Sequence, residues 1–304
     1  MRRSLCILAM VVPAAMTWVG CQSLPAVTET VATVGVATGV VTEQQAGSIV
    51  RAGEALASAM EQLTPENEYW IGRAVAATLL TQYRPLDQPN LNRYLNLLGQ
   101  SLALCSDRPE TFGGYRFLAL DTDEINAFAG PGGFILVTRG MLRLCKTEDE
   151  LAAVLAHEIG HVVHRHGLRA IQRSRWTGAF TTVLAEAGKA LGPAELAEAV
   201  RAFEGSISDV TQMLVHNGYG RAAEREADAT AVTILQRGGY DPRALISMLQ
   251  EMKRRWPSSG IGFARTHPDP LERIRDVERW IGSAPPVQPI RYRQERFQAA
   301  MRLL

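Results

Sequence analysis

The sequence has almost no net charge, because 32 lysines and arginines face 31 aspartates and glutamates and leave +1. A protein that binds nucleic acid through charge carries a basic excess, so this balance favours neither nucleic acid nor an acidic partner. No internal repeat is found, and the apolar run from Val31 to Val41 is too short to cross a bilayer. The 304 residues, of which 46% are hydrophobic, are enough for one large domain or two small ones with a sizeable core.

The N-terminus is typical of a secreted lipoprotein. Two arginines precede an apolar stretch, Leu5 to Val19, that is too short for a comfortable membrane span. A Val-Gly-Cys sequence ending at Cys21 then resembles a bacterial lipobox, although Trp18 stands where leucine is usual. We therefore expect a signal peptide over 1–20 and a lipid on Cys21. Because Gln22 is not an aspartate, the same resemblance implies an outer-membrane lipoprotein that faces the periplasm.

Cysteine is scarce, and only Cys105 and Cys145 remain after the predicted signal peptide and the predicted lipidated residue. An even pair in an oxidising compartment permits a disulfide between them. Two independent buried thiols are the alternative, and the sequence favours neither.

Histidine is scarce too, with six residues in the chain, yet four of them fall within ten positions. Two are four residues apart and flank a glutamate, in the pattern H-E-x-x-H. On a helix such a pair shares one face and can bind one metal ion, while the glutamate lies beside a metal-bound water. The alternative is an amphipathic helix with surface histidines. The cluster consists of His157, His161, His164 and His166, and the glutamate is Glu158.

A helix through this motif is well supported. Thr147 and Glu150 form a capping box, and acidic residues fill the first turn. No proline interrupts the stretch from Glu148 to Ser174, and a broad apolar surface predicts that the helix is buried. Buried histidines need partners, and a metal is one such partner.

A third ligand is predicted from a second helix downstream. Glu224 and Asp228 are four residues apart and share a face, whereas Glu226 points to roughly the opposite side. Two histidines and a glutamate form a known catalytic zinc set, and Asp228 would orient a ligating imidazole. The alternative is an exposed helix face on which glutamates and arginines four residues apart form ion pairs.

These residues resemble the gluzincin metallopeptidases of peptidase family M48, which includes the CAAX prenyl proteases and HtpX-like proteases. The resemblance spans about residues 63 to 281 and rests on five ordered motifs. It implies that His157, His161 and Glu224 bind one Zn²⁺ per chain and that Glu158 is the catalytic base. The five motifs lie at Leu63 to Arg73, Asn126 to Thr138, His157 to His161, Glu224 to Asp228, and Thr266 to Ile274.

The predicted fold class is α+β, mostly helical: a zincin-like metalloprotease domain with a small β-sheet beside the active-site helix. The domain is expected over 63–282, after a tether with one helix over 21–62 and before a C-terminal tail over 283–304. Strands are predicted over 115–120 and 134–138. Between the H-E-x-x-H helix and the helix of Glu224, a helical hairpin is predicted. It would either gate access to the active-site cleft or only pack against the domain. Further helices are predicted at about 65–83, 88–104, 242–256 and 269–281.

The resemblance also implies that Asn126 and Ala127 hold substrate backbone beside the sheet, where an extended peptide can add as a strand. A plain turn residue is the alternative for Asn126. In zinc-dependent peptide hydrolysis, the tetrahedral oxyanion needs a second electrophile besides the metal. The candidates are His267, Arg221, Tyr219 and His216.

Three histidines outside the main motif have competing interpretations. His267 is either a latch, closing onto the metal as a fourth ligand as in some periplasmic relatives, or a cap of the last helix. His164 is expected either to contact the metal ligands without binding the metal or to be solvated. His166 is expected at the surface.

The expected function is a periplasmic zinc endopeptidase that removes misfolded or misassembled envelope proteins and is bound to the membrane by its lipid. The alternative is a chaperone-like outer-membrane assembly factor with little proteolysis. A third hypothesis is a zinc-stabilised structural protein with a closed four-ligand site.

Overall fold

The computed structural model describes residues 64–169, 207–208, 210–255, 267, 270–283, 285–288 and 290–304. The predicted signal peptide, the lipidation site Cys21, the tether and most of the predicted hairpin lie outside these residues. Within the described ranges, none of the helices combines the length and the apolar character that crossing a membrane requires.

Helices dominate the described residues, and one small sheet interrupts them after the second helix. This arrangement confirms the predicted α+β class. The elements are α1 (Pro65–Gln82), α2 (Pro89–Ala103), β1 (Arg116–Leu120), β2 (Ala127–Gly130), a 3-10 turn (Pro131–Gly133), β3 (Phe134–Thr138), α3 (Arg139–Leu144), α4 (Glu148–Val163), a π-helical turn (Met213–Asn217), α5 (Arg221–Arg237), α6 (Arg243–Arg255), α7 (Pro270–Ile281) and α8 (Arg291–Met301).

The sheet has the order β1-β3-β2, with β1 parallel and β2 antiparallel to the central strand β3. Two of these strands match the prediction, whereas the region of β2 was predicted as a loop. Its sequence, Ala-Phe-Ala-Gly, has low β-propensity, and it becomes a strand because its backbone pairs with β3 and all four residues are buried.

The outer edge of β1 is closed by asparagine side chains from α2. Asn96 accepts a hydrogen bond from the Phe117 amide at 3.0 Å and donates one to the Phe117 carbonyl at 2.6 Å. One turn earlier, Asn92 accepts a hydrogen bond from the Ala119 amide at 2.8 Å. The spacing of four residues along the helix matches two residues along the strand, so these side chains satisfy the β1 edge in place of another strand.

Helix α4 runs through the centre of the domain, and nearly all its residues are buried. It begins with the predicted cap, since the Thr147 hydroxyl accepts a hydrogen bond from the Glu150 amide. It ends at Val163 rather than continuing toward Ser174, because Arg165 adopts a left-handed conformation with φ of 53°. This early end is a correction to the sequence prediction, which had no proline to mark it.

The segment predicted as a C-terminal tail contains α8, which packs against the start of α4. Arg296 forms a double hydrogen bond with Glu148, a fully buried carboxylate at the first position of α4. Tyr94 and Tyr240 each donate a hydroxyl hydrogen bond to the same carboxylate at 3.0 Å. Glu148 therefore has enough donors to offset the cost of burying its charge.

Helices α4 and α5 approach each other closely at one glycine. A side chain at Gly160 would place its Cβ 2.8 Å from the Ala227 carbonyl oxygen and 2.9 Å from the Ala227 Cα. The second variable position of the H-E-x-x-H motif is thus occupied by the residue that lets the two helices touch. This contact brings the acidic residues of α5 to the histidines of α4.

Replacing Gly160 with valine should push α5 away from α4, because backbone atoms of Ala227 cannot rotate out of the way. We expect a loss of stability of about 1–3 kcal/mol, typical of overpacking, together with reduced metal uptake. Thermal unfolding and metal analysis of the purified protein measure both. The control is Gly220→Ser, where a Cβ meets nothing within 4 Å and serine is a good N-cap. A Gly160→Val protein as stable as the control would contradict the close-contact argument.

Candidate metal centre

Four buried side chains converge where α4 and α5 meet. His157, His161, Glu224 and His267 each offer one ligand atom, and these atoms all lie within 4.8 Å of one another. The two Nε2 atoms of the motif histidines are 3.1 Å apart, and they lie 3.6 and 3.5 Å from the Glu224 carboxylate oxygens. The structure therefore brings together the three predicted ligands and the candidate fourth.

These distances fit a tetrahedral metal ion. Ligands about 2.0–2.1 Å from a zinc ion lie about 3.4 Å from each other at tetrahedral angles. The His157–His161, His157–Glu224, His161–Glu224 and His157–His267 pairs are separated by 3.1–3.6 Å. The contact of His267 Nδ1 with Glu224 is shorter, at 2.8 Å. Imidazole nitrogens and a carboxylate are also the donors that zinc takes from proteins.

Glu158 lies beside this group and is 1% exposed, and neither carboxylate oxygen has a hydrogen-bond partner among the described residues. Burial raises the pKa of Glu158 to about 7, the negative charge of Glu224 adds to this, and His157 and Arg273 oppose it. A buried carboxylate without a partner costs stability. Its position next to four convergent donors is typical of a functional group.

Residues 89–281 match the model of Peptidase family M48, which is more than half of the chain. The chain belongs to this family. The resemblance stated from the motifs is therefore confirmed, and so is the prediction of a metallopeptidase domain at the level of the family.

Relatives with assigned names include the beta-barrel assembly-enhancing proteases of Yersinia pestis and Escherichia coli K12. They are 31% and 32% identical over 224 and 200 residues, which cover 71% and 63% of this chain. The mitochondrial metalloendopeptidase OMA1 of Schizosaccharomyces pombe is 34% identical over 165 residues, or 52% of this chain. The matched segments span only 44%, 39% and 44% of the relatives' own lengths.

In this family member, Asp228 lies where the sequence predicted it, next to the ring nitrogen of His157 that faces away from the other ligands. Its Oδ1 is 2.9 Å from His157 Nδ1. A carboxylate at Nδ1 holds the proton there, so that Nε2 points its lone pair toward Glu224 and His161.

Arg273 of α7 completes this side of the site, and the sequence analysis gave it no role. It donates to both oxygens of Asp228 at 2.7 and 2.8 Å, and its Nη1 lies 3.0 Å from Glu224 Oε2. One guanidinium thus neutralises two buried carboxylates. The signal was available: Arg273 lies beside the apolar residues Ile274 and Val277 on the buried side of α7.

Two further histidines contradict or extend the sequence prediction. His166, expected at the surface, is only 3% exposed and contacts His161, with their Nδ1 atoms 2.8 Å apart. Glu226, expected to point away from the site, lies within hydrogen-bonding distance of His166, with 2.9 Å between Oε2 and Nε2. His164 is half-buried and bonds Thr230 at 2.8 Å, away from the four donors.

The candidates for oxyanion stabilisation separate clearly. Arg221 is 73% exposed and lies 3.7 Å from Glu272, so the structure removes it from the buried site, and His216 is exposed as well. Tyr219 is buried and stacks on His161 with 4.1 Å between ring centroids, and its hydroxyl donates to the Ala129 carbonyl at 3.2 Å. Tyr219 and His267 remain next to the ligands.

Asn126 is fully buried, and its side chain is engaged within the chain. Its amide donates to Glu124 at 3.1 Å, and its oxygen accepts from the Ala127 amide at 2.9 Å. These are the bonds of a turn residue, the alternative to substrate binding. Ala127 begins β2 and is buried.

Cys105 and Cys145 are both free thiols in the structure, as in the alternative of two independent thiols. Each sulfur bonds a backbone carbonyl of its own helical turn, Cys105 to Ser101 and Cys145 to Met141. Burial raises the pKa of the Cys145 thiol far above its usual value, which keeps it protonated.

Replacing Arg273 with leucine should leave Asp228 and Glu224 as buried carboxylates without their counter-charge. We expect the metal-free protein to lose about 3–5 kcal/mol of stability, part of which added metal restores by neutralising Glu224. Thermal unfolding with chelator and with metal measures both effects. The matched control is Arg279→Leu on the same helix, which is 69% exposed and pairs only with Asp276. Equal stability of the two metal-free variants would exclude this role for Arg273.

Proposed function

We propose that this chain is a zinc-dependent endopeptidase that cleaves misfolded or misassembled envelope proteins in the periplasm, anchored to the outer membrane through Cys21. The observation that carries the proposal is the buried, partnerless carboxylate of Glu158 beside four convergent donors. The names of the bacterial relatives, which describe proteases that enhance β-barrel assembly, support the choice of substrate class. The lipoprotein features of the N-terminus support the location.

His157, His161 and Glu224 would hold the zinc ion, which when bound supplies Lewis-acid activation of a water and of the scissile carbonyl. Glu158 would accept a proton from the attacking water and pass it to the leaving amine. Its raised pKa, about 7, suits both halves of this transfer near neutral pH. Tyr219 and His267 are the groups next to the ligands that can donate to a developing oxyanion.

Strand β2 is the surface that favours an extended peptide as substrate. The Thr138 amide donates to the Asn126 carbonyl at 3.1 Å, so by antiparallel alternation Ala127 and Ala129 direct their backbone groups to the outer edge. Tyr219 bonds the Ala129 carbonyl on that edge and stacks on His161. A peptide added to β2 would thus lie beside a metal ligand.

A structural zinc site would also have four donors, but it would not need Glu158. A carboxylate buried without a partner lowers stability and serves a purpose only where a proton must move. The arrangement therefore favours an enzyme over the structural hypothesis.

The variant Glu158→Gln should abolish peptide-bond cleavage and leave metal binding intact, because an amide of the same shape cannot accept the proton. We expect casein cleavage by the purified protein to fall by about 10²–10⁴-fold while one zinc per chain is retained. Metal analysis is the control that separates lost chemistry from a lost site. If cells carrying Glu158→Gln keep full envelope function, the protease proposal is wrong and the chaperone-like assembly factor is the better account.

His267 is proposed as a latch, because its ligand atom lies within 4.8 Å of those of the other three residues and would compete with water for a bound zinc ion. His267→Ala should then raise casein cleavage several-fold, with zinc content unchanged because three ligands remain. Activity that is unchanged or lower in His267→Ala would show that His267 is not a latch. A loss of activity with zinc retained would instead assign His267 to the oxyanion.

A further inference from the structure

His161 is joined to the half-exposed Glu226 by a chain of short contacts through His166. The Nδ1 atoms of His161 and His166 are 2.8 Å apart, and His166 Nε2 lies 2.9 Å from Glu226 Oε2. Arg169 donates to the same glutamate oxygen at 2.9 Å. His166 is 3% exposed, so its ring is enclosed between the metal centre and Glu226.

The proton positions in this chain follow from the geometry of His161. Its Nε2 faces His157 and Glu224, so a metal is bound through Nε2 and the proton of the neutral ring is on Nδ1. That N–H donates to Nδ1 of His166, which must then carry its own proton on Nε2. The Nε2–H donates to the Glu226 carboxylate, and every contact has one donor and one acceptor.

The backbone makes a costly turn to bring His166 into this place. After α4 ends, Arg165 has φ of 53°, the only positive value among the described residues other than glycine. A left-handed conformation is unfavourable for a residue other than glycine. Arg165 Nε lies 3.4 Å from Glu68, a buried carboxylate that also binds Arg108 with two hydrogen bonds. Strained backbone fixed by its surroundings is typical of functional sites.

Helix α5 reaches both motif histidines through the two acidic residues on either side of Ala227. Ala227 contacts Gly160, and the acidic residues on either side of it reach one histidine each. Asp228 contacts His157 directly at 2.9 Å, whereas Glu226 reaches His161 only through His166.

We propose that His166 and Glu226 are positioning residues that orient His161 and strengthen it as a metal ligand, in a relay of carboxylate, imidazole and imidazole. The inference rests on the proposed zinc site but not on proteolysis. It assigns the segment just after H-E-x-x-H a part in metal affinity. Outer partners of this kind change metal affinity by about 10–100-fold in proteins.

The test measures zinc affinity of the purified protein by competition with a chromophoric chelator. His166→Leu removes both hydrogen bonds and should weaken zinc binding by about 10–100-fold. Glu226→Gln keeps an oxygen acceptor for His166 but removes the charge, so its loss should be smaller. The control is His216→Ala, an exposed histidine outside the buried site, which should leave the affinity unchanged.

Nitrogen-15 spectra of the zinc-loaded parent protein give a readout that does not depend on any variant folding. His166 should appear as the neutral Nε2–H tautomer and His161 as the Nδ1–H tautomer. A protonated His166, its Nδ1–H tautomer, or a His166→Leu protein with the parent's zinc affinity would overturn the relay. If the parent cleaves no casein yet shows the expected affinity series, the relay stands and the proposed activity fails. If casein is cleaved while the affinity series is flat, only the relay fails.

Discussion

The contact between Gly160 and Ala227 is the constraint on which the metal centre depends. Two helices can share ligands for one small ion only if their axes come close, and a hydrogen atom at position 160 is what permits this. The rest of the site follows from that contact, since Glu224, Glu226 and Asp228 then face the histidines of α4 at short range. The five residues from His157 to His161 therefore contain two convergent histidines, a buried carboxylate and a packing residue.

Burying this much charge requires neutralisation from outside the two helices. Arg273 of α7 pairs with Asp228 and Glu224, and Arg296 of α8 pairs with Glu148 at the start of α4. Both arginines come from the C-terminal part of the chain, and α8 lies beyond the matched family region. The later segments thus supply the positive charges that make an acidic, buried centre stable in the metal-free protein.

Much of the fold and the ligand set was predictable because the signals were local. A capping box, a spacing of four residues and an apolar periodicity all belong to single helices, and they predicted α4, α5 and the residues that converge between them. What could not be predicted depended on tertiary contacts. Strand β2 has a weak β-propensity and forms because it pairs with β3. The left-handed Arg165 contacts Glu68, which is distant in the sequence. The turn at Arg165 directs His166 inward. A charged residue beside apolar ones on a helix, as at Arg273, is the one missed signal that the sequence did contain.

The asparagine side chains of α2 along β1 have a consequence for how many strands the sheet can take. With one edge occupied by Asn92 and Asn96, the sheet can extend in one direction only, at β2. A strand added at β2 would therefore end the sheet on that side, while the β1 side offers no free edge for a second chain. A sheet that can accept one strand but cannot extend in both directions limits aggregation through its edges.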